Sequence, residues 1–126
     1  MIEIKKPDES AILAEVIVKG MEEKKAKNIV MMDLRGVSGS VSDFFVICHG
    51  DSDKQVEAIA RSIEEEVYKT LKEDPWGREG LTNCEWALID YINVTAHVFL
   101  NEKRDFYQLE RLWGDAKITK IESSFT

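Results

Sequence analysis

Two runs near the C-terminal end, Glu85 to Tyr91 and Val94 to Leu100, constrain this chain most. In an extended strand the side chains alternate between faces, which puts Trp86, Leu88 and Asp90 on one face and Ala87, Ile89 and Tyr91 on the other. Both faces are mostly apolar, so the strand belongs inside a sheet covered on each side rather than on a sheet with one wet surface. Val94 to Leu100 is rich in β-branched and aromatic residues, and only Tyr91, Ile92 and Asn93 are available to reverse the chain before it. The two runs are expected to form an antiparallel hairpin. From Asn101 the spacing becomes helical, with Phe106, Leu109 and Trp113 on one stripe and Tyr107 and Glu110 beside it. Asn101 or Asp105 is placed to cap this short helix, and Gly114 follows its end. Aromatic residues at this spacing are most often core, whereas Trp, Tyr and Arg also dominate the energetics of protein interfaces.

The rest of the chain supplies two longer helices and another strand pair. Asp8 is an N-cap candidate after Pro7, and Ile12, Leu13, Val16, Ile17 and Met21 recur at helical spacing to about Lys25, with Gly20 weakening the pattern. Asn28 to Leu34 and Asp43 to His49 read as strands joined by the Gly- and Ser-rich loop Arg35 to Ser40. That loop lacks the Gly-Lys-Ser/Thr ending of a P-loop and the spacing of a dinucleotide fingerprint, so a simple connection is the expectation. Ser52 with Gln55 makes a capping box for a helix whose buried stripe is Val56, Ile59, Ala60, Ile63, Val67 and Leu71, and Pro75 is read as its stop. Its other face, with Glu57, Arg61, Glu64, Glu65, Lys69 and Lys72, is read as solvated. Trp76 to Asn83 reads as loop; after Gly114, the alternation of Ile118 and Ile121 leaves an edge strand or a loose tail open. The expected order is α-β-β-α-β-β-α, an α/β (α+β) single domain with a mixed sheet and flanking helices, occupying residues 1–114 with a tail at 115–126.

A chain of 126 residues suits one core. With 24 acidic against 17 basic residues the formal net charge is -7, which disfavours broad binding to a phosphate backbone and favours a basic protein partner. Cys48 and Cys84 lie in or beside strand runs and are expected to be reduced and buried. No apolar run reaches the length of a membrane span and the N-terminus reads as neither a secretory nor an organellar leader, so the cytoplasm is the default.

His49 and His97 share no motif with a nucleophile, and His97 reads as a hydrogen-bonded core or edge residue. No zinc or covalent-hydrolase signature is present, and neither a cofactor nor a metal is expected. Gly39, Ser40, Asp43 and Asp90 follow the layout of a nucleotidyltransferase metal site. Two-metal phosphoryl transfer needs a second carboxylate two residues from Asp43, and Phe45 stands there.

Three stretches carry a family resemblance: Asp33-Leu34-Arg35-Gly36 through Ser42-Asp43-Phe44-Phe45-Val46-Ile47-Cys48 to Gly50 and Ser52; Gly80 with Glu85-Trp86, Leu88-Ile89-Asp90, Val94 and His97-Val98; and Arg104 to Trp113, the most specific. On these the chain resembles the ribosomal silencing factor, or Iojap-like, family over roughly Ile12 to Trp113. The resemblance implies a nucleotidyltransferase-like fold without that chemistry, and a translation repressor. Such a protein binds the large ribosomal subunit through its fourteenth protein and blocks joining of the small subunit. It also implies that Trp86, Asp90, Tyr107, Leu109, Glu110, Leu112 and Trp113 form or support the docking surface, and that the protein forms dimers. Glu85 replaces the family's usual aspartate, and Ile92 stands where glycine is common, which leads us to expect Asn93 in the left-handed position. The alternatives are a dimerisation or interaction module with no ribosomal role, or a divergent nucleotidyltransferase.

Overall fold

The computed structural model describes residues 8–37, 42–102 and 117–121. Its elements are α1 (Glu9–Glu23), β1 (Lys27–Asp33), β2 (Phe44–Gly50), α2 (Asp53–Leu71), β3 (Gly77–Glu79), β4 (Trp86–Asp90), β5 (Val94–Leu100) and β6 (Lys117–Lys120). The six strands make one mixed sheet in the order β3-β4-β5-β2-β1-β6. The α+β expectation, and the antiparallel β4–β5 hairpin within it, are met: Trp86 faces Phe99 and Asp90 faces Thr95 across the pair. β5 in turn runs parallel to β2, with Phe44 opposite Val94 and Gly50 opposite Leu100. The strand read as apolar on both faces, β4, lies between β3 and β5, but the helices cover only its Ala87 and Ile89 side; Trp86, Leu88 and Asp90 are half-buried, so the expected cover is met on one face.

Both described helices pack on one face. Leu13, Ile17 and Met21 of α1 and Val56, Ile59, Ile63 and Val67 of α2 share a cluster with Val46, Cys48, Ala87, Ile89, Ala96 and Val98. At roughly 1.5–3 kcal/mol for each fully buried aliphatic side chain, this layer is the main source of stability. The second face carries a separate cluster of Val30, Met32, Leu34, Ile47 and Phe99, with Phe45 and Trp86 packed at its margin. Cys48 and Cys84 are both buried and form no disulfide with each other, as expected.

The caps follow the sequence closely. Asp8 accepts a hydrogen bond from the Ala11 amide at 3.1 Å. Ser52 accepts from the Gln55 amide at 3.1 Å, while Gln55 Oε1 accepts from the amide of Asp51 at 2.8 Å instead of returning to Ser52. α1 stops at Glu23, just before the lysines, and α2 stops at Leu71, four residues before Pro75. Lys72 ends α2 by turning left-handed (φ 58°), its N–H donating to the Tyr68 carbonyl, so Pro75 is not the stop.

Two short segments depart from the reading of the sequence, and a third settles an open one. Gly77–Glu79, read as loop, pairs with β4 as a three-residue edge strand too short to show a periodicity. Lys117–Lys120 resolves the open reading of the tail by pairing antiparallel with β1, Ile118 opposite Met32. At the hairpin, Ile92 itself adopts positive φ (74°) and Asn93 does not. The Asn93 N–H donates back to the Tyr91 carbonyl at 2.9 Å, the bond of a γ-turn centred on Ile92. Asp90 Oδ1 holds the strained residue by accepting from the Ile92 N–H at 2.7 Å. The short helix expected near Asn101 to Trp113 and the loop residues Ser38 to Ser40 lie largely or wholly outside the described residues.

Gly20 is a requirement of the helix crossing, not a defect in α1. A Cβ at this position would stand 2.8 Å from Ile63 Cα and 3.1 Å from the Ser62 carbonyl, and the Ser62 hydroxyl donates to the Gly20 carbonyl at 2.8 Å. The Gly20→Ala variant should lose about 1–3 kcal/mol through overpacking against rigid backbone, read as a lower urea midpoint at unchanged slope. Ile92→Gly should do the reverse, gaining about 1 kcal/mol by relieving a β-branched residue at positive φ. An unchanged or lower midpoint for Ile92→Gly would contradict the γ-turn.

Candidate docking face and its buried histidine

The register fixes which side chains meet on the second face. Trp86, Leu88 and Asp90 of β4 stand opposite Phe99, His97 and Thr95 of β5. His97 and Thr95 stand in turn beside Ile47 and Phe45 of β2. Burial then divides β4 by parity: Ala87 and Ile89 are fully buried beneath the helices, whereas Trp86, Leu88 and Asp90 are half-buried. A tryptophan, a leucine and a carboxylate are therefore partly open in one row on the face that α1 and α2 do not cover.

Trp86 is held from several directions. Its indole stacks on Phe99 with centroids 5.2 Å apart, and its Nε1–H donates to His97 Nδ1 at 2.9 Å. Its backbone carbonyl lies so close to Gly80 (φ 78°) that a Cβ on that residue would come within 1.9 Å of it. Only glycine tolerates both the dihedral and the approach. The amide of Leu100 bonds the Glu85 carbonyl at 2.9 Å and fastens the start of β4. At the other end, the amide of Trp76 donates to the Asp90 carbonyl at 2.7 Å, and Trp76 itself is 75% exposed.

His97 is 3% exposed, with the Phe45 ring edge-on at 4.6 Å. Because Nδ1 accepts from Trp86, the imidazole is the Nε2–H tautomer. Nε2 has no hydrogen-bond partner among the described residues. Burial in this aromatic cage opposes the charged form and pushes the pKa down to about 3. The reading of His97 as a hydrogen-bonded core residue is met.

The acids proposed for a nucleotidyltransferase site are engaged in local structure. Asp43 Oδ2 accepts from the Ser10 hydroxyl of α1 at 2.6 Å, and Asp90 Oδ1 holds the Ile92 turn. Among the described residues, no group of three His, Cys, Asp or Glu side chains is arranged to hold a metal ion. The first motif also has a structural use. Arg35 grips Asp33 through Nε at 3.0 Å and Nη2 at 2.8 Å, reaches the α1 cap Asp8 through Nη1, and lies over the Phe44 ring at 4.7 Å. The guanidinium holds the Asp33 carboxyl below its ordinary range.

Of the candidate residues, the structure places Trp86 and Asp90 on one strand and one face. Tyr107, Leu109, Glu110, Leu112 and Trp113 lie outside the described residues. Leu88 was not singled out from the sequence, although its parity with Trp86 was the available signal. The Trp86–His97 bond had no signal, because it depends on strand register. A groove of about 410 Å³ along α2, lined by Ala60, Tyr68 and Leu81 with Arg61 and the carboxylates of Glu57, Glu64 and Glu65, lies on the helix-covered side of the sheet.

The unfolded chain protonates His97 near its ordinary value of 6.5, whereas the folded protein resists protonation until about 3. Between these values the unfolded state binds the extra proton, so stability is full above about 6.5 and falls as pH drops toward 3. Urea midpoints measured from about pH 6.5 to about 4.5, above most carboxylate titration, should fall less steeply for His97→Asn than for the unmodified protein. Parallel curves would show that His97 is not buried neutral.

Residues 7–125 match the family described as "Ribosomal silencing factor during starvation". The chain is 40% identical over 104 residues to Ribosomal silencing factor RsfS of Bacillus subtilis, covering 80% of this chain and 84% of that one. It is 39% identical over 110 residues to the protein of the same name from Halalkalibacterium halodurans, covering 87% and 92%. A crystal structure of protein CV0518 from Chromobacterium violaceum shares the fold at a TM-score of 0.78 and 30% identity, covering 90% of this chain and 93% of that one. The resemblance read from the three motifs is therefore a true kinship, and the chain belongs to the ribosomal silencing factor family.

Proposed function

We propose that this protein is a translation repressor that works by occupying space. It binds the large ribosomal subunit through the subunit's fourteenth protein and thereby prevents the small subunit from joining. It acts in the cytoplasm, without turnover or cofactor, as a monomer or a homodimer. The observation that carries this reading is the half-buried row Trp86, Leu88 and Asp90 on the sheet face that α1 and α2 leave uncovered, in a chain of this family.

Trp86 has the features of an interface anchor, being a large amphipathic ring with its conformation already fixed by Phe99 and His97. Asp90 Oδ2 has no partner among the described residues and offers a carboxylate oxygen to a cationic side chain. The net charge of -7 steers a basic ribosomal protein toward the surface. Tyr107, Leu109, Glu110, Leu112 and Trp113 belong to the same surface or its support on this proposal.

Co-sedimentation with purified large subunits tests it. Trp86→Ala and Tyr107→Ala should each weaken binding about thirtyfold, the effect of losing an interface anchor of about 2 kcal/mol. Leu88→Glu changes the open row with little disturbance of the core and should weaken binding in the same direction. Unmodified protein should also lower the yield of joined ribosomes when both subunits are mixed. Full binding by all three variants would remove the proposed face from consideration.

A further inference from the structure

We infer that His97 is the positioning residue for Trp86: its neutral Nδ1 fixes the indole in the orientation in which Trp86 meets the partner. The inference rests on the docking role proposed for Trp86 and adds a residue that itself touches no partner.

Three observations converge on it. The Trp86 Nε1–H to His97 Nδ1 bond at 2.9 Å joins neighbouring strands across the sheet, from a half-buried ring to one that is 3% exposed. Stacking on Phe99 limits the tilt of the indole, but a stacked ring can still slide or flip within its plane. A directional bond to Nε1 removes that freedom. The second observation is an unfavourable one. His97 Nε2–H is buried without a hydrogen-bond partner among the described residues, in a cage of Phe45, Phe99 and Trp86 where a leucine would bring no unsatisfied polar atom of its own. A residue that costs stability at its own position needs a reason elsewhere, and the only described bond its ring makes is the one to Trp86. The third is chemical state. With burial holding the imidazole neutral, Nδ1 remains an acceptor throughout the physiological pH range.

Side chains that separate acceptor from packing test the inference. His97→Leu fills the cage and removes the acceptor, whereas His97→Asn underfills it but presents Oδ1 where Nδ1 stood. Leucine should match or exceed the unmodified protein in urea midpoint and yet bind large subunits about three- to tenfold more weakly, the effect of one lost hydrogen bond. Asparagine should be less stable and yet recover most of the affinity. In the ¹H–¹⁵N spectrum the Trp86 indole resonance, assigned with Trp86→Phe, should shift and exchange faster with water in the leucine variant only. A purely structural histidine would make affinity follow stability, and that ranking would overturn the inference. So would leucine binding like the unmodified protein while Trp86→Ala binds poorly, a result that leaves the docking face intact. If Trp86→Ala binds normally, the docking reading fails and the positioning role for binding fails with it.

Discussion

A strand buried along nearly its whole length needs cover on both faces, and β5 imposes that constraint on the whole molecule. Residues Val94 to Phe99 are all buried, so β5 must have a strand on each side and cover above and below. β4 satisfies one edge through the tight hairpin, and β2 satisfies the other in parallel register. The parallel pairing requires a crossover, which α2 supplies. α1 and α2 then close over one face, and Gly20 lets their backbones approach. The other face carries the aromatic cluster that contains His97 and supports Trp86.

Much of this was legible from the residues because the signals were local. Alternation gave the β4–β5 hairpin, helical spacing gave both long helices, and Asp8 and Ser52 announced their caps. What stayed hidden depended on chain partners distant in sequence. β3 has three residues and gains its identity only from pairing with β4. Lys117–Lys120 becomes a strand only because β1 offers an edge. Lys72 ends α2 by a dihedral that no lysine announces. Ile92 takes positive φ where asparagine was the expected residue, because Asp90 anchors its amide and the turn bond passes from Asn93 to Tyr91.

The candidate site was legible in part. Trp86 and Asp90 were named by resemblance, and parity correctly put them on one face. Leu88 shares that parity, but an unremarkable leucine draws no attention until its half-exposure is seen. His97 is the residue that reasoning from sequence undervalues most. Read as a core histidine, it is one, yet its hydrogen bond to Trp86 exists only because β4 and β5 pair in this register. Local rules are broken at Ile92 and at His97, one by backbone strain and one by a buried unsatisfied donor, and both positions adjoin the Trp86–Asp90 row.

An electron cryomicroscopy map of the protein on the large ribosomal subunit addresses the central claim most directly. The account predicts that the β4 row of Trp86, Leu88 and Asp90 lies against the subunit's fourteenth protein, with α1 and α2 turned away from it. A complex in which the outer surfaces of α1 and α2 make that contact, with Trp86 facing solvent, would contradict it.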